Sequence, residues 1–128
     1  RLRSNLNNKK LKLMFNVNAE FASPLGDRKT SDKAESAVFS SLADAICVSG
    51  VITSKAVNIN ELKETKEKVK DVPIFANTGV KIDNVEEILS IADGCVIGSH
   101  LKYDGITWNN IDSKRVRDFM NKVNKIRN

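Results

Sequence analysis

The chain has 128 residues, with 21 Lys and Arg against 16 Asp and Glu and a net charge of +5. That length suits one domain with a real core. No apolar run approaches the ~20 residues needed to span a bilayer. No aromatic residues are interleaved with the basic ones, which argues against a specific nucleic-acid surface. Arg1 to Lys12 carries five basic residues and no acidic ones, read as a solvated surface rather than an anion-binding one.

Two cysteines, Cys47 and Cys95, sit inside apolar runs. Free cysteine behaves there as a small hydrophobe. No CxxC or Cys/His spacing points to a metal, and no cofactor is expected. This usage fits a reducing cytoplasm.

Taken in chain order, residues 1–10 are polar and basic, with Leu2 and Leu6 at the i,i+4 spacing of a helix end. Leu11 to Asn18 reads as a strand, and Ser23, Pro24 and Gly26 mark a loop after it. Thr30 or Ser31 is the expected cap of a helix with Ala34, Ala37, Val38 and Leu42 on one face. Residues 44–49 form the second strand, ending at Gly50. Asn58 or Asn60 is the expected cap of a helix with Leu62, Thr65 and Val69 facing inward and a Glu64–Lys68 pair outside.

Val72-Pro73 leads into the third strand, over 73–77, where Pro is tolerated at the first position. Asp83 and Glu86 read as a capping box before Val85, Ile88, Leu89 and Ala92. The fourth strand covers 94–98. A loop from His100 to Asn110 follows. Asp112 is the expected cap of the last helix, with Ile111 and Val116 at staple spacing and Val116, Phe119, Met120 and Val123 as its buried stripe. Alternating strands and helices imply four parallel βα units with right-handed crossovers.

Two stretches organise the rest: Ile74 to Val80, and Gly94 to Ser99. Each is an apolar strand running into a small glycine-bearing turn. Glycine lets backbone N–H groups approach a ligand without a side chain in the way. In (β/α)8 barrels the loops after strands 7 and 8 commonly hold a phosphate. Thr78-Gly79 and Gly98-Ser99 are read as those loops, with Lys102 able to add charge. The competing reading is that both glycines only make tight turns.

Several motifs together resemble the BtpA family of TIM-barrel proteins. They are Ala43-Asp-Ala-Ile-Cys-Val-Ser-Gly50, Val72 to Val80 followed by Asn84, Ala92-Asp-Gly-Cys-Val-Ile-Gly-Ser-His-Leu-Lys102 with Gly105, and Asn110 to Val116 with Asp112 and Arg115. The resemblance covers most of Leu11 to Met120. It implies an α/β fold, the C-terminal half of a (β/α)8 barrel, strands 5 to 8. It implies a fold shared with enzymes that bind phosphorylated sugars and nucleotide precursors. Family labels divide between photosystem I biogenesis and an SgcQ-like role in sugar metabolism, with no settled reaction.

There are departures. Glu20-Phe21 stand where the family tends to have a Lys-His pair, so acid–base chemistry there is lost. Asn77 replaces the first glycine of the phosphate-type turn, and Thr53-Ser54 replaces a Thr-Gly. The single histidine, His100, falls at a variable family position and is read as a loop residue rather than a base.

The expectation is therefore one half-barrel domain over residues 1–128, with a phosphate site at Asn77, Thr78, Gly79, Gly98, Ser99 and Lys102. No catalytic residue is assigned. The ligand is a phosphorylated sugar or nucleoside-like metabolite; the alternative is a non-catalytic assembly factor. A whole barrel takes ~250 residues, and the chain starts at Arg1 without Met. It is thus expected to be a fragment, a dimer that closes the barrel, or a subunit needing an N-terminal half. A flavodoxin-like open sheet is the alternative architecture. The sheet face of Phe15, Val17, Ile46, Val48, Ile74, Ala76, Cys95 and Ile97 is expected to be the uncovered inner one.

Overall fold

A computed structural model describes residues 2–8, 10–18, 20, 22–50, 52 and 55–128. The elements are α1 (Leu2–Asn5), β1 (Met14–Asn16), α2 (Thr30–Ser41), β2 (Ala45–Val48), α3 (Ile59–Lys68), β3 (Ile74–Ala76), α4 (Val85–Leu89), β4 (Gly94–Cys95) and α5 (Ser113–Arg127), with two 3-10 turns at Ser99–Leu101 and Tyr103–Gly105. The four strands lie in one sheet in the order β1-β2-β3-β4, every pair parallel. Four parallel βα units in sequence order are half of a (β/α)8 barrel. Among the described residues, no helix is long and apolar enough to cross a membrane.

The strands are shorter than the apolar runs that encode them. Beyond the paired registers single backbone bonds continue, from the Val17 N–H to Cys47 and from the Asn77 N–H to Val48. β4 shows this most: its pairing covers Gly94 and Cys95, and the Val96 N–H still donates to the Ala76 carbonyl at 2.8 Å.

The faces of the sheet are the reverse of the expectation. Ile46, Val48, Ile74 and Ala76 are fully buried and pack with Ala34, Leu62, Val85, Ile88, Phe119 and Val123. Phe15, Val17, Cys95 and Ile97 border the same cluster. That face is the helix-covered outer one. The open face carries Met14, Asn16, Cys47, Ser49, Phe75, Asn77, Gly94 and Val96, with Met14 51 % and Val96 43 % exposed. A period of two separates the faces of a strand but does not say which one the helices choose.

One device fixes the register at two places. The Asp44 N–H donates to the Leu13 carbonyl at 2.8 Å, while Asp44 Oδ2 accepts from the Leu13 N–H at 2.8 Å. Asp93 does the same to Ile74, at 2.9 and 2.7 Å. Each aspartate is neutralised: Asp44 by Arg3 and Lys12, Asp93 by Lys66 at 2.6 Å. The Leu13 N–H bond, working against desolvation and helped by Lys12 and Arg3, holds the Asp44 carboxyl down at about 2. For Asp93, burial pushes upward, but Lys66 and the Ile74 N–H outweigh it and keep the acid below its ordinary range.

Helix ends follow the expected chemistry in part. Asn58 Oδ1 accepts from the N–H groups of Asn60 and Glu61, and Asp112 accepts from those of Lys114 and Arg115, so both are N-caps. Thr30 and Ser31 do not cap α2; its N-cap position is Lys29, with no side-chain bond. Asp83 does not cap α4 either: the N-cap position is Asn84, again with no side-chain bond. Its side chain is used elsewhere, as described below.

Leu42 adopts a left-handed conformation that ends α2 and leaves the residue 61 % exposed, off the buried stripe. Met120 and Ile111 are also exposed, so the stripe of α5 runs through Phe119, Val123 and Ile126. The Lys68 ammonium reaches across to Asp32 and Glu35 of α2 rather than to Glu64. Leu2 and Leu6 are exposed.

Candidate functional site

The two glycine turns meet at the C-terminal edge of the sheet, as parallel pairing of β3 and β4 requires. Asn77, Thr78, Gly79, Gly98 and Ser99 line one cavity of about 440 Å3. Lys102 is not among its lining residues; its backbone pairs with Ile111 on the far side of the turn. The cations in the lining are Lys81 and Arg115, and the anions are Glu20 and Asp104. Phe21, Thr53 and Ser54 lie outside the described residues.

The turn after β3 is locked in place. Thr78 is buried, and its Oγ1 accepts the Gly50 N–H at the end of β2. Gly79 has φ +60°, and a Cβ there would fall 2.2 Å from the Ala56 nitrogen and 2.3 Å from the Lys55 carbonyl carbon. Only glycine fits that conformation and that approach together. Asn84 then pins the turn from the other side: its Oδ1 accepts the Lys81 N–H at 2.7 Å and its Nδ2 donates to the Gly79 carbonyl at 3.0 Å.

The turn after β4 is built differently. A Cβ on Gly98 would meet nothing within 4 Å. Ser99 Oγ pairs with Thr107 Oγ1 at 2.8 Å, tying the turn to the following loop. Among the described residues, the N–H groups of Gly79, Gly98 and Ser99 donate to no protein acceptor. Unpaired amides at neighbouring turns are suited to an anion.

His100 and Arg115 frame the cavity. His100 Nε2 accepts the Ile82 N–H at 3.2 Å, and the ring stands edge-on to Phe119 with centroids 6.0 Å apart. Burial lowers the His100 pKa, and the charge of Arg115 lowers it further. A neutral ring whose acceptor nitrogen is already used is a brace, not a free base. Arg115 Nη1 donates to the His100 carbonyl at 3.1 Å. Its Nε lies 3.9 Å from Asp112 Oδ2, so the guanidinium borders the cavity while held from two sides. Asp112 sets Arg115 in place by capping the helix three residues before it.

Arg115 and Lys81 were not assigned to the site from the sequence. The signal for Arg115 was its place in the Asp112-to-Arg115 motif, which a capped helix points back at the sheet edge. Among the described residues, no group of three or more His, Cys, Asp or Glu could hold a metal. Cys47 and Cys95 are free thiols, both pushed up in pKa by burial.

A model described as the BtpA family matches residues 1–125. The chain is 46 % identical over 117 residues to the putative sgc region protein SgcQ of Escherichia coli, covering 91 % of this chain and 44 % of the relative. It is 29 % identical over 108 residues to the photosystem I biogenesis protein BtpA of Synechocystis, covering 84 % of this chain and 38 % of that protein. The chain thus spans less than half the length of either relative. Among solved structures, N-(5'-phosphoribosyl)anthranilate isomerase from Pyrococcus furiosus is similar with a TM-score of 0.58 at 16 % identity, covering 97 % of this chain and 55 % of that one. At that identity the likeness speaks to the fold alone.

Proposed function

The chain belongs to the BtpA family, and on that premise we propose that it binds the phosphate of a small sugar or nucleoside-like metabolite in the cavity between its last two βα turns. The observation that carries this reading is the set of unpaired amides at Gly79, Gly98 and Ser99 beside the cations Lys81 and Arg115. The amides supply fixed dipoles, and the two cations supply charge without being buried against each other. Asn77 and the Thr78 backbone complete the wall. Lys102 stands outside it, and Arg115 takes the charge-supplying role expected of that lysine.

Catalysis is degraded in this reading. His100 is committed to the Ile82 amide, and Glu20 stands where the family tends to have Lys-His. A second reading, a non-catalytic assembly factor, is favoured by the open sheet face with Met14 and Val96 exposed. Either reading needs that face closed, by a second copy or by an N-terminal half-barrel. The free cysteines agree with a cytoplasmic setting.

The test is a titration with inorganic phosphate, followed by amide NMR shifts. The expected result is that the largest shifts fall at residues 77–80 and 98–100, and that Gly98→Val abolishes them with helix content unchanged. Shifts centred elsewhere, or a Gly98→Val protein that binds as the parent does, would refute the cradle.

A further inference from the structure

Three strands place neutral polar side chains in a row on the open face, at the end nearest the cradle. The Asn77 Nδ2 donates to Ser49 Oγ at 2.9 Å, and Ser49 Oγ donates on to Asn16 Oδ1 at 3.0 Å. The middle of the row is rigid. Asn18 Oδ1 accepts the Ser49 N–H at 2.7 Å, and Asn18 Nδ2 donates to the Ser49 carbonyl, also at 2.7 Å. Ser49 itself is 2 % exposed.

We propose that this Asn16–Ser49–Asn77 row is a second subsite, which binds adjacent hydroxyl groups of the ligand whose phosphate sits in the neighbouring cradle. The inference rests on the phosphate reading for its anchor and adds what the rest of the ligand is. Asn77 joins the two parts, because it also lines the cradle cavity. Asn18 and Ser49 line the adjoining cavity of about 1060 Å3. The ligand therefore extends from the β3–β4 turns toward β2 and β1.

The chemistry of the row selects the ligand. Its two ends keep unused capacity of opposite kind. Among the described residues, Asn16 Nδ2 has no acceptor and Asn77 Oδ1 has no donor. A hydroxyl both donates and accepts, so a pair of hydroxyls satisfies a donor at one end and an acceptor at the other. None of the three side chains is ionisable, so the row holds a neutral group and performs no proton transfer. There is also an energetic reason to expect an occupant. In a closed barrel this face is interior, where amide groups left without partners are destabilising. A row fixed before the ligand arrives loses little entropy on binding.

The experiment compares inorganic phosphate, propyl phosphate, ribose 5-phosphate and free ribose, read by backbone and Asn side-chain NH2 shifts. Ribose 5-phosphate should bind about tenfold more tightly than propyl phosphate and shift the side-chain signals of Asn16 and Asn77. Asn16→Leu, and independently Ser49→Ala, should bring ribose 5-phosphate to the level of propyl phosphate while leaving both phosphate-only probes unchanged. If ribose 5-phosphate and propyl phosphate bind equally to the parent, the row is not a subsite and the cradle stands. If no phosphate probe binds but millimolar ribose still shifts Asn16 and Asn77, the cradle falls and the row stands. If no probe moves those signals, the proposal is overturned.

Discussion

Gly79 and Gly98 face the same cavity for different reasons, and alanine substitution separates them. At Gly79 the backbone sits at φ +60°, a conformation that costs a residue with a Cβ about 1–2 kcal/mol. The added Cβ would also lie 2.2 Å from the Ala56 nitrogen and 2.5 Å from the Lys55 carbonyl oxygen. Those are backbone atoms, so the loop of residues 55–56 must move rather than a side chain rotate. Forcing a methyl into such a contact costs roughly 1–3 kcal/mol. The sum, about 2–5 kcal/mol, is a large share of the ~5–15 kcal/mol that holds a domain together.

Gly98→Ala meets no atom within 4 Å and should stay within about 0.5 kcal/mol of the parent. Urea unfolding followed by circular dichroism measures both, with equal slopes as the control. A Gly79→Ala protein within about 0.5 kcal/mol of the parent would refute the view that the turn after β3 is held by close backbone contact.

Asp93→Ala strips the buried Ile74 N–H of its acceptor and should cost about 1–3 kcal/mol, whereas Asp93→Asn keeps an acceptor and should cost less; urea midpoints decide. Asp44 is depressed in the fold to about 2, so its contribution is full above pH ~4 and is lost as pH falls toward 2. Acid unfolding monitored by circular dichroism should therefore be shallower in Asp44→Asn. His100 is lowered instead, so below pH ~6.5 the unfolded chain takes up a proton that the folded one resists, and stability falls. The imidazole 15N shifts should show a neutral ring at pH ~6.5, with the Ile82 amide shifting once the ring protonates; a ring already charged there would contradict the bond to Ile82. Arg115→Met should weaken phosphate binding about tenfold, and Lys102→Ala should leave it within twofold, both read by the same NMR titration.

Much of the fold was legible because strands covered by helices on one side and facing a barrel interior on the other are mostly apolar. Strand order followed from the alternation of strands and helices. Asn58 and Asp112 were legible as caps because in each a single Oδ1 accepts both first-turn N–H groups. Asn84 was not, because its amide is spent on Gly79 and Lys81 across the turn. The choice of sheet face was hidden, since Phe15, Ile46 and Ile74 alternate with residues equally able to be buried. In the site, Thr78-Gly79 and Gly98-Ser99 were visible as local motifs. The polar row was not: residues 16, 49 and 77 carry no signal until the strands pair, which puts Asn16 opposite Cys47 and within side-chain reach of Ser49, itself bonded to Asn77.

The paired aspartates have a consequence for how such a chain can change. Asp44 grips Leu13 with a helix of 12 residues between them, and Asp93 grips Ile74 with a helix of 5. The alignment of one strand on the next is the same in both. It is thus set by a side chain at the strand entrance, not by the span of the crossover. Helices on the outside are free to lengthen, shorten or be exchanged without sliding the strands, and the mouth where the two turns meet keeps its geometry while the exterior drifts. A fold built this way can diversify its surface and still present the same cavity.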